Sequence, residues 1–437
     1  VPAAGFFVAE QSVKGLGTSF AGGAAAAEDA STLFHNPAGL TRLTGSEVEV
    51  GAYVISPIFD FKNQGTTTPL GTPPTGRVND GGGFLGFPGN VYYASRLNDD
   101  LAVGLGVNSP FGLKTVYNRD WIGRYHAVES EILTVNVNPS LAYRLHPRLS
   151  LGAGFNAEYF EARLTNAIDF GSLATLGELP VAQPANPAFD GFSELEADDW
   201  GFGYNLGLLW EIDPGVEVNG RRVGGSRVGL SYRSKIDFEL DGEGDVSVPA
   251  ALAIVPDFAA AGGTRGARAD VTLPEIASLS GYHTLSPRWS VMADASWFRW
   301  SRLDALRVRF ADGDVATLPL EWENVWRFAV GVEFRYSDAW TFRAGAAYDE
   351  SPVPNAELRT PRLPDQTRRW IGVGASYRPW PTLGVDIGYA HQFIRDTAIN
   401  TTETTTGEAI GVPIGNTLRG RYESQGNVLG VQVQWEF

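Results

Sequence analysis

The sequence predicts an all-β fold: a 14-stranded antiparallel transmembrane β-barrel with an N-terminal hatch in its lumen. Three observations predict it. From about residue 46 to the end, apolar side chains alternate with polar or small ones at a period of two, so each segment has one apolar and one polar face. Connections between these segments alternate between tight turns and long loops, the pattern of an outer-membrane barrel with its long loops outside. The first 45 residues lack the alternation yet carry Phe6, Phe7, Val8, Leu16, Phe20, Leu33 and Phe34, apolar side chains for which a disordered tail has no use. The expected domains are a hatch or plug at 1–45 and a barrel at 46–437.

Composition restricts what such a chain does. With a formal net charge of −16 and few lysines among 437 residues, it has no basic surface for nucleic acid. The absence of cysteine excludes a disulfide framework, thiol catalysis and Cys-type metal sites. No run approaches the roughly 18 apolar residues of a membrane-spanning helix. The chain begins at Val1 without a basic-then-apolar leader, as expected of an exported protein after signal removal and equally of a trimmed chain. His35, His126, His146, His283 and His391 stand in no nucleophile motif or metal spacing. Neither an enzyme nor a cofactor nor a metal is expected.

The strands follow in order. Alternation places them near 46–60, 87–98, 100–113, 130–146, 148–169, 199–212, 226–240, 269–285, 287–301, 322–337, 339–349, 368–379, 382–396 and 420–437. In one of them Trp326, Phe328, Val330, Val332, Phe334 and Tyr336 share a face while Arg327, Ala329, Gly331, Glu333 and Arg335 share the other. Asn98-Asp99, His146-Pro147, Ser286-Pro287, Ser337-Asp338 and Pro379–Pro381 are tight turns, with Asp213–Gly225 a longer exception. Long connections are expected near 61–86, 114–129, 170–198, 241–268, 302–321, 350–367 and 397–419. An even strand number brings both barrel ends to the periplasmic side, and closure leaves no free sheet edge. Aromatics near strand ends, such as Trp289, Trp340 and Trp380, suit the interfacial girdles of a membrane barrel.

Three places carry candidate function. In the third strand Pro110 donates no ladder hydrogen bond and Gly112 permits unusual backbone angles, so pairing is expected to break over Asn108, Ser109, Pro110, Phe111 and Gly112. That break is either the end of the strand or an opening in the wall. Two external loops are apolar, with Leu173, Leu176 and Leu179 in one and Leu252, Ile254, Val255 and Phe258 in the other. They form either a hydrophobic capture groove or a cap made by loop-to-loop packing. In the hatch, Asn36-Pro37-Ala38 reads as a turn or as an anchor of hatch to wall, and Gly5, Phe6 and Phe7 form a short arm.

Four stretches resemble the FadL/TodX family of outer-membrane channels for long-chain fatty acids and other hydrophobic compounds. They are Gly5-Phe6 with Glu10-Gln11-Ser12, Gly15-Leu16-Gly17, Ala21-Gly22 and Asn36-Pro37-Ala38; Asn108–Gly112 at the end of Gly104–Gly112; Trp200–Asn205; and Asp349–Pro354 followed by Pro364-Asp365-Gln366 and Arg369-Trp370. The resemblance spans nearly the whole chain in order. It implies passive uptake: capture of a hydrophobic ligand at the loops, a pocket gated by the N-terminal arm, and sideways release through a kinked third strand. It further implies contact with outer-membrane lipid and lipopolysaccharide, an expected monomer, and a periplasmic N-terminus. Where fatty-acid-transporting members carry basic lumen groups, this chain reads Asn166 and Glu323. Arg163, Arg327 and Arg369 are the substitutes, unless they only pair with acids such as Asp349 across the lumen. The alternatives are a general diffusion porin and a surface receptor or adhesin.

Overall fold

The computed structural model describes residues 5–177, 183–218, 221–223, 225–407 and 412–437; Leu179 lies outside them. The barrel strands are β1 (Ser46–Asn63), β2 (Gly89–Arg96), β3 in two pieces (Leu101–Asn108 and Gly112–Val116), β4 (Glu129–His146), β5 (Leu149–Ile168) and β6 (Gly191–Asp213). β7 (Ser226–Arg233, then Ile236–Ser247) and β8 (Gly263–Leu273, then Ile276–Thr284) are also divided. β9 (Trp289–Phe298), β10 (Val325–Arg335), β11 (Trp340–Asp349), β12 (Arg368–Trp380), β13 (Leu383–Ile394) and β14 (Val412–Glu436) complete the set. Each strand pairs antiparallel with the next, and β14 pairs with β1 with Glu47 opposite Glu436 and Val50 opposite Val433. The result is a closed 14-stranded barrel.

Closure satisfies the backbone in a medium that offers no hydrogen bonds, and the side chains declare that medium. On β10, Phe328 and Val330 are 47% and 61% exposed, whereas Arg327 and Glu333 are 4% and 5% exposed. A soluble barrel would show the reverse. Aromatic pairs stand at the tight-turn end: Trp289 with Phe334 and Trp340 with Tyr377, both at 4.6 Å between ring centroids. An aromatic belt at the edge of the apolar band is what a bilayer interface favours.

Three strand extensions enter two of the expected long loops, 170–198 and 241–268. β6 begins at Gly191, β7 runs to Ser247 and β8 starts at Gly263. These extensions keep the period of two but carry acids in place of apolar residues on the outward face. Asp237, Glu239, Asp241, Glu243 and Asp245 all point outward and are exposed. The hydrophobic pattern stops where the lipid band stops; the ladder of hydrogen bonds does not.

Residues 5–45 lie within the lumen as short helical turns: α1 (Val13–Gly17), α2 (Gly23–Ala26), α3 (Thr32–His35) and a 3-10 turn over Pro37–Arg42. None is long enough to be stable alone. They are held by caps, as where Ser12 Oγ accepts from Gly15 N over 3.2 Å, and by the wall. Lys14 pairs with Asp29 at 2.9 Å and donates to Gln434 of β14 at the same distance. Inward-facing glycines allow the helices to approach so closely. A methyl group on Gly207 would collide with the Asn36 side chain, and one on Gly229 or Gly345 with the carbonyl oxygens of Ala24 or Thr18.

Candidate functional site

The third strand breaks where Pro110 removes a ladder donor. β3 stops at Asn108 and resumes at Gly112, leaving the backbone groups of Ser109, Pro110 and Phe111 outside the ladder between β3 and β4. Such groups at membrane depth need partners, and two sources provide them. From β4, Thr134 Oγ1 accepts from Phe111 N at 3.0 Å and donates to Phe111 O at 2.7 Å. From the N-terminal arm, Val8 N donates to Pro110 O at 2.8 Å, and Phe6 O accepts from Gly112 N at 2.9 Å. Gln11 Nε2 donates to Ser109 O at 2.7 Å and to Val8 O at 3.1 Å. Phe7 and Phe111 face each other in an antiparallel bridge. The arm thus replaces the missing piece of strand pairing from inside the lumen.

The arm also fills an aromatic chamber. Phe6 packs on Trp300, Trp322 and Phe111 at centroid distances of 4.9, 5.9 and 5.8 Å, and Phe7 on Phe298 at 5.2 Å and Phe111 at 5.5 Å. Gly5 holds φ at +69°, and a methyl group there would stand 2.9 Å from Trp300 Cζ2, so only glycine fits. Gly5 N donates to Asp365 Oδ2 at 3.3 Å, where Ser351 Oγ also donates at 2.9 Å. Arg368 pairs with the other oxygen of Asp365 and stands 3.8 Å from Asp349. Burial pushes the Asp365 carboxyl above its ordinary value, against the pull of Arg368. The spacing of Asp349-Glu350-Ser351 to Pro364-Asp365-Gln366 therefore builds the anchor of the arm.

Two spaces adjoin the arm. One, of about 70 Å³, lies between hatch and wall against Phe7, Phe34, Phe298, Arg233, Asp294 and Arg327. The other, of about 370 Å³, lies at the break in β3 and is lined by Val107 and Leu133 of the outward face as well as by Val8 of the arm, with Phe84 and Phe87 beside them. Behind the arm, Glu10 is buried, and among the described residues none hydrogen-bonds to its carboxylate oxygens. Burial pushes that carboxyl above its usual range, against nearby Arg368 and Arg327. His35, also buried in the hatch, is held down to about 4 by loss of solvent.

The hatch anchor is direct. Asn36 Nδ2 donates to Leu208 O of β6 at 3.0 Å and to Ala24 O at 2.7 Å, while its Oδ1 accepts from Ala38 N at 3.1 Å; Pro37 opens the following 3-10 turn. The two apolar loops pack on one another. Leu173, Leu252 and Phe258 join Phe170 and Val246 in one buried cluster with Val255 at its edge, while Leu176 and Ile254 remain exposed.

Two of the expected lumen cations stand elsewhere. Arg369 faces outward, and its neighbour Arg368 is the buried one. A one-residue difference reverses the face of a strand side chain. Arg163, an odd number of positions from inward Phe160, is on the outer side, paired with Glu129, Glu194 and Glu196. Arg327 does face inward, donating to Ser19 O at 2.6 Å, and Asp349 is buried. Arg233, which sequence reasoning missed, lies over the Phe34 ring at 4.4 Å and donates to Asn156 Oδ1 at 2.6 Å. Its position beside the Ser234-Lys235 interruption of β7 hides it from an alternation count.

A closed barrel with an apolar exterior, a polar lumen and its own N-terminal segment folded inside is an integral outer-membrane protein of the plugged-barrel class. The chain belongs to the outer membrane protein transport protein family (OMPP1/FadL/TodX), whose profile matches residues 1–437. The family is one of transporters and not of enzymes. Among relatives, the NMB0088 outer membrane protein of Neisseria meningitidis serogroup B is 32% identical over all of this chain and 95% of its own length. The long-chain fatty acid transport protein of Escherichia coli K12 is 31% identical, covering 91% of this chain and 89% of its own. The crystal structure of a Pseudomonas aeruginosa FadL homologue superposes with a TM-score of 0.86 at 25% identity, over 99% of this chain and 100% of that one.

Proposed function

We propose that the chain is an outer-membrane channel for passive, diffusion-driven uptake of hydrophobic molecules, a long-chain fatty acid or a hydrocarbon or aromatic compound. The observation that carries this reading is the double engagement of the arm. The same residues that fill the aromatic chamber, Phe6 and Phe7, also complete the backbone pairing of broken β3. Withdrawal of the arm empties the chamber and frees the break together, so ligand binding and wall opening share one switch. Ligand collected at the long loops passes to the chamber, displaces the arm, and leaves sideways past Val107 and Leu133 into the bilayer. The hatch, taken as residues 1–45, keeps its place behind the arm meanwhile, because Asn36 and the wall glycines hold its backbone there.

In this reading the tight-turn end and the N-terminus face the periplasm, the long loops face outward among lipopolysaccharide, and the monomer is the working unit. The packed loop cluster around Phe170 and Phe258 yields to ligand at the exposed side chains Leu176 and Ile254. Its partners are a hydrophobic small molecule and the surrounding lipid. Conductance of the purified protein in planar bilayers tests the reading: a plugged channel stays closed to ions, and steady high conductance would instead identify a diffusion porin.

A further inference from the structure

We infer that the chamber under the arm is built for an oxygen-bearing aromatic ligand, held by the indole N–H groups of Trp300 and Trp322. The inference rests on the uptake reading above and gives its substrate a chemistry. Trp300 and Trp322 are 0% and 4% exposed, with ring centroids 5.0 Å apart. Among the described residues neither Nε1 has a hydrogen-bond acceptor. Buried indole N–H groups ordinarily find one, because leaving a donor unpaired in an apolar site forfeits its hydration without return. Phe6 and Phe111, which pack on them, and Leu303 and Leu320, which share their apolar cluster, offer no acceptor side chain.

The arm covers both indoles. Gly5 lies over them so closely that a methyl group there would stand 3.0 Å from Trp300 Cε2, the ring carbon bonded to Nε1, and 3.0 Å from Trp322 Cζ3. Phe6 occupies the space between Trp300, Trp322 and Phe111. In the closed state the arm therefore supplies an aromatic ring but no acceptor to the indole edges. A ligand that displaces it has a place for a ring the size of phenylalanine's. It gains two donors if it carries a carbonyl, ether or carboxylate oxygen. The arm competes on ring packing and loses on hydrogen bonding, which favours oxygenated ligand over bare hydrocarbon. A third unpartnered indole, Trp370 Nε1, lies against Phe20 of the hatch at 6.2 Å, outside the chamber, and serves as the control.

The test is calorimetric titration of the purified full chain in detergent with ethylbenzene and acetophenone, ring-matched probes that differ by a carbonyl oxygen. Wild type is expected to bind acetophenone more tightly. Trp300→Phe and Trp322→Phe, which keep a ring and remove the donor, should each weaken acetophenone by about three- to tenfold and leave ethylbenzene unchanged. Trp370→Phe should move neither. Retention of wild-type acetophenone affinity by both Trp300→Phe and Trp322→Phe, or equal loss of both probes, would overturn the inference while leaving the uptake reading in place. Wild type that binds neither probe would overturn the inference, while the uptake reading is decided separately by the conductance measurement.

Discussion

Val8 donates its backbone N–H to the carbonyl oxygen of Pro110 over 2.8 Å, so the proline that breaks the third strand is paired by the N-terminal arm. The bond joins the two parts of the molecule that the uptake reading needs to move together. It also explains how a broken strand is tolerated in a bilayer, where an unpaired carbonyl is costly.

The arm is tied down at its start by Asp365, which accepts from Gly5 N at 3.3 Å and from Ser351 Oγ at 2.9 Å. Because the chain has no native cysteine, Phe6→Cys reports arm exposure directly through its reaction with a thiol reagent. In that background Asp365→Ala is expected to speed labelling by about tenfold, the effect of losing roughly 1.4 kcal/mol of anchoring. Unchanged labelling would mean that the arm is held by its aromatic contacts and the β3 pairing alone.

Thr134 satisfies both backbone groups of Phe111 with one hydroxyl. Thr134→Val keeps the shape and orphans both. The expected loss is about 1–3 kcal/mol of stability, visible as a lower temperature for the shift from folded to unfolded mobility on gels. An unaltered transition would show that other groups compensate at the break.

The glycine-rich wall gives a steric prediction. Gly345→Ala places a methyl group against the Thr18 carbonyl, whereas a methyl group on Gly281 meets nothing within 4 Å. Gly345→Ala should displace the hatch and raise ionic conductance in planar bilayers, while Gly281→Ala behaves as wild type. Equal behaviour of the two variants would separate hatch seating from the wall glycines.

Glu10 gives a pH dependence. Its carboxyl is raised above the ordinary 4.5 by burial, so between that value and the folded one the native state holds a proton that the unfolded chain has released. Stability accordingly falls as pH rises through this window. Glu10→Gln should flatten that slope of the melting temperature above pH 4.5; a slope that persists in the variant would assign it to another group.

Much of this architecture was legible in the sequence. Trp326 to Tyr336 against Arg327 to Arg335 revealed a membrane barrel because lipid inverts which face is polar. The parity of turns and loops set the strand count. The break at Pro110 was legible because proline's missing N–H acts locally. What escaped depends on distance or register. The pairing of Phe6 and Val8 with a strand about a hundred residues away leaves no periodic signal in a short apolar arm. Arg368 and Arg369 are adjacent, so face assignment turned on a single residue of register. The acidic charge, without explanation from composition, has a partial one in space: Asp237, Glu239, Asp241, Glu243 and Asp245 line the outer face of β7 above the lipid-facing band.

Whether one movement of the arm opens the wall is decided by locking the arm in place. Phe7 and Phe111 are bridge partners, and the spacing across an antiparallel bridge is within the reach of a disulfide. Uptake of a hydrophobic ligand is measured in cells producing Phe7→Cys/Phe111→Cys, oxidised and then reduced, beside each single variant. Uptake is expected to be lost on oxidation of the double variant only and to return with reductant. Uptake at the single-variant rate with the disulfide formed would contradict a wall opened by the arm.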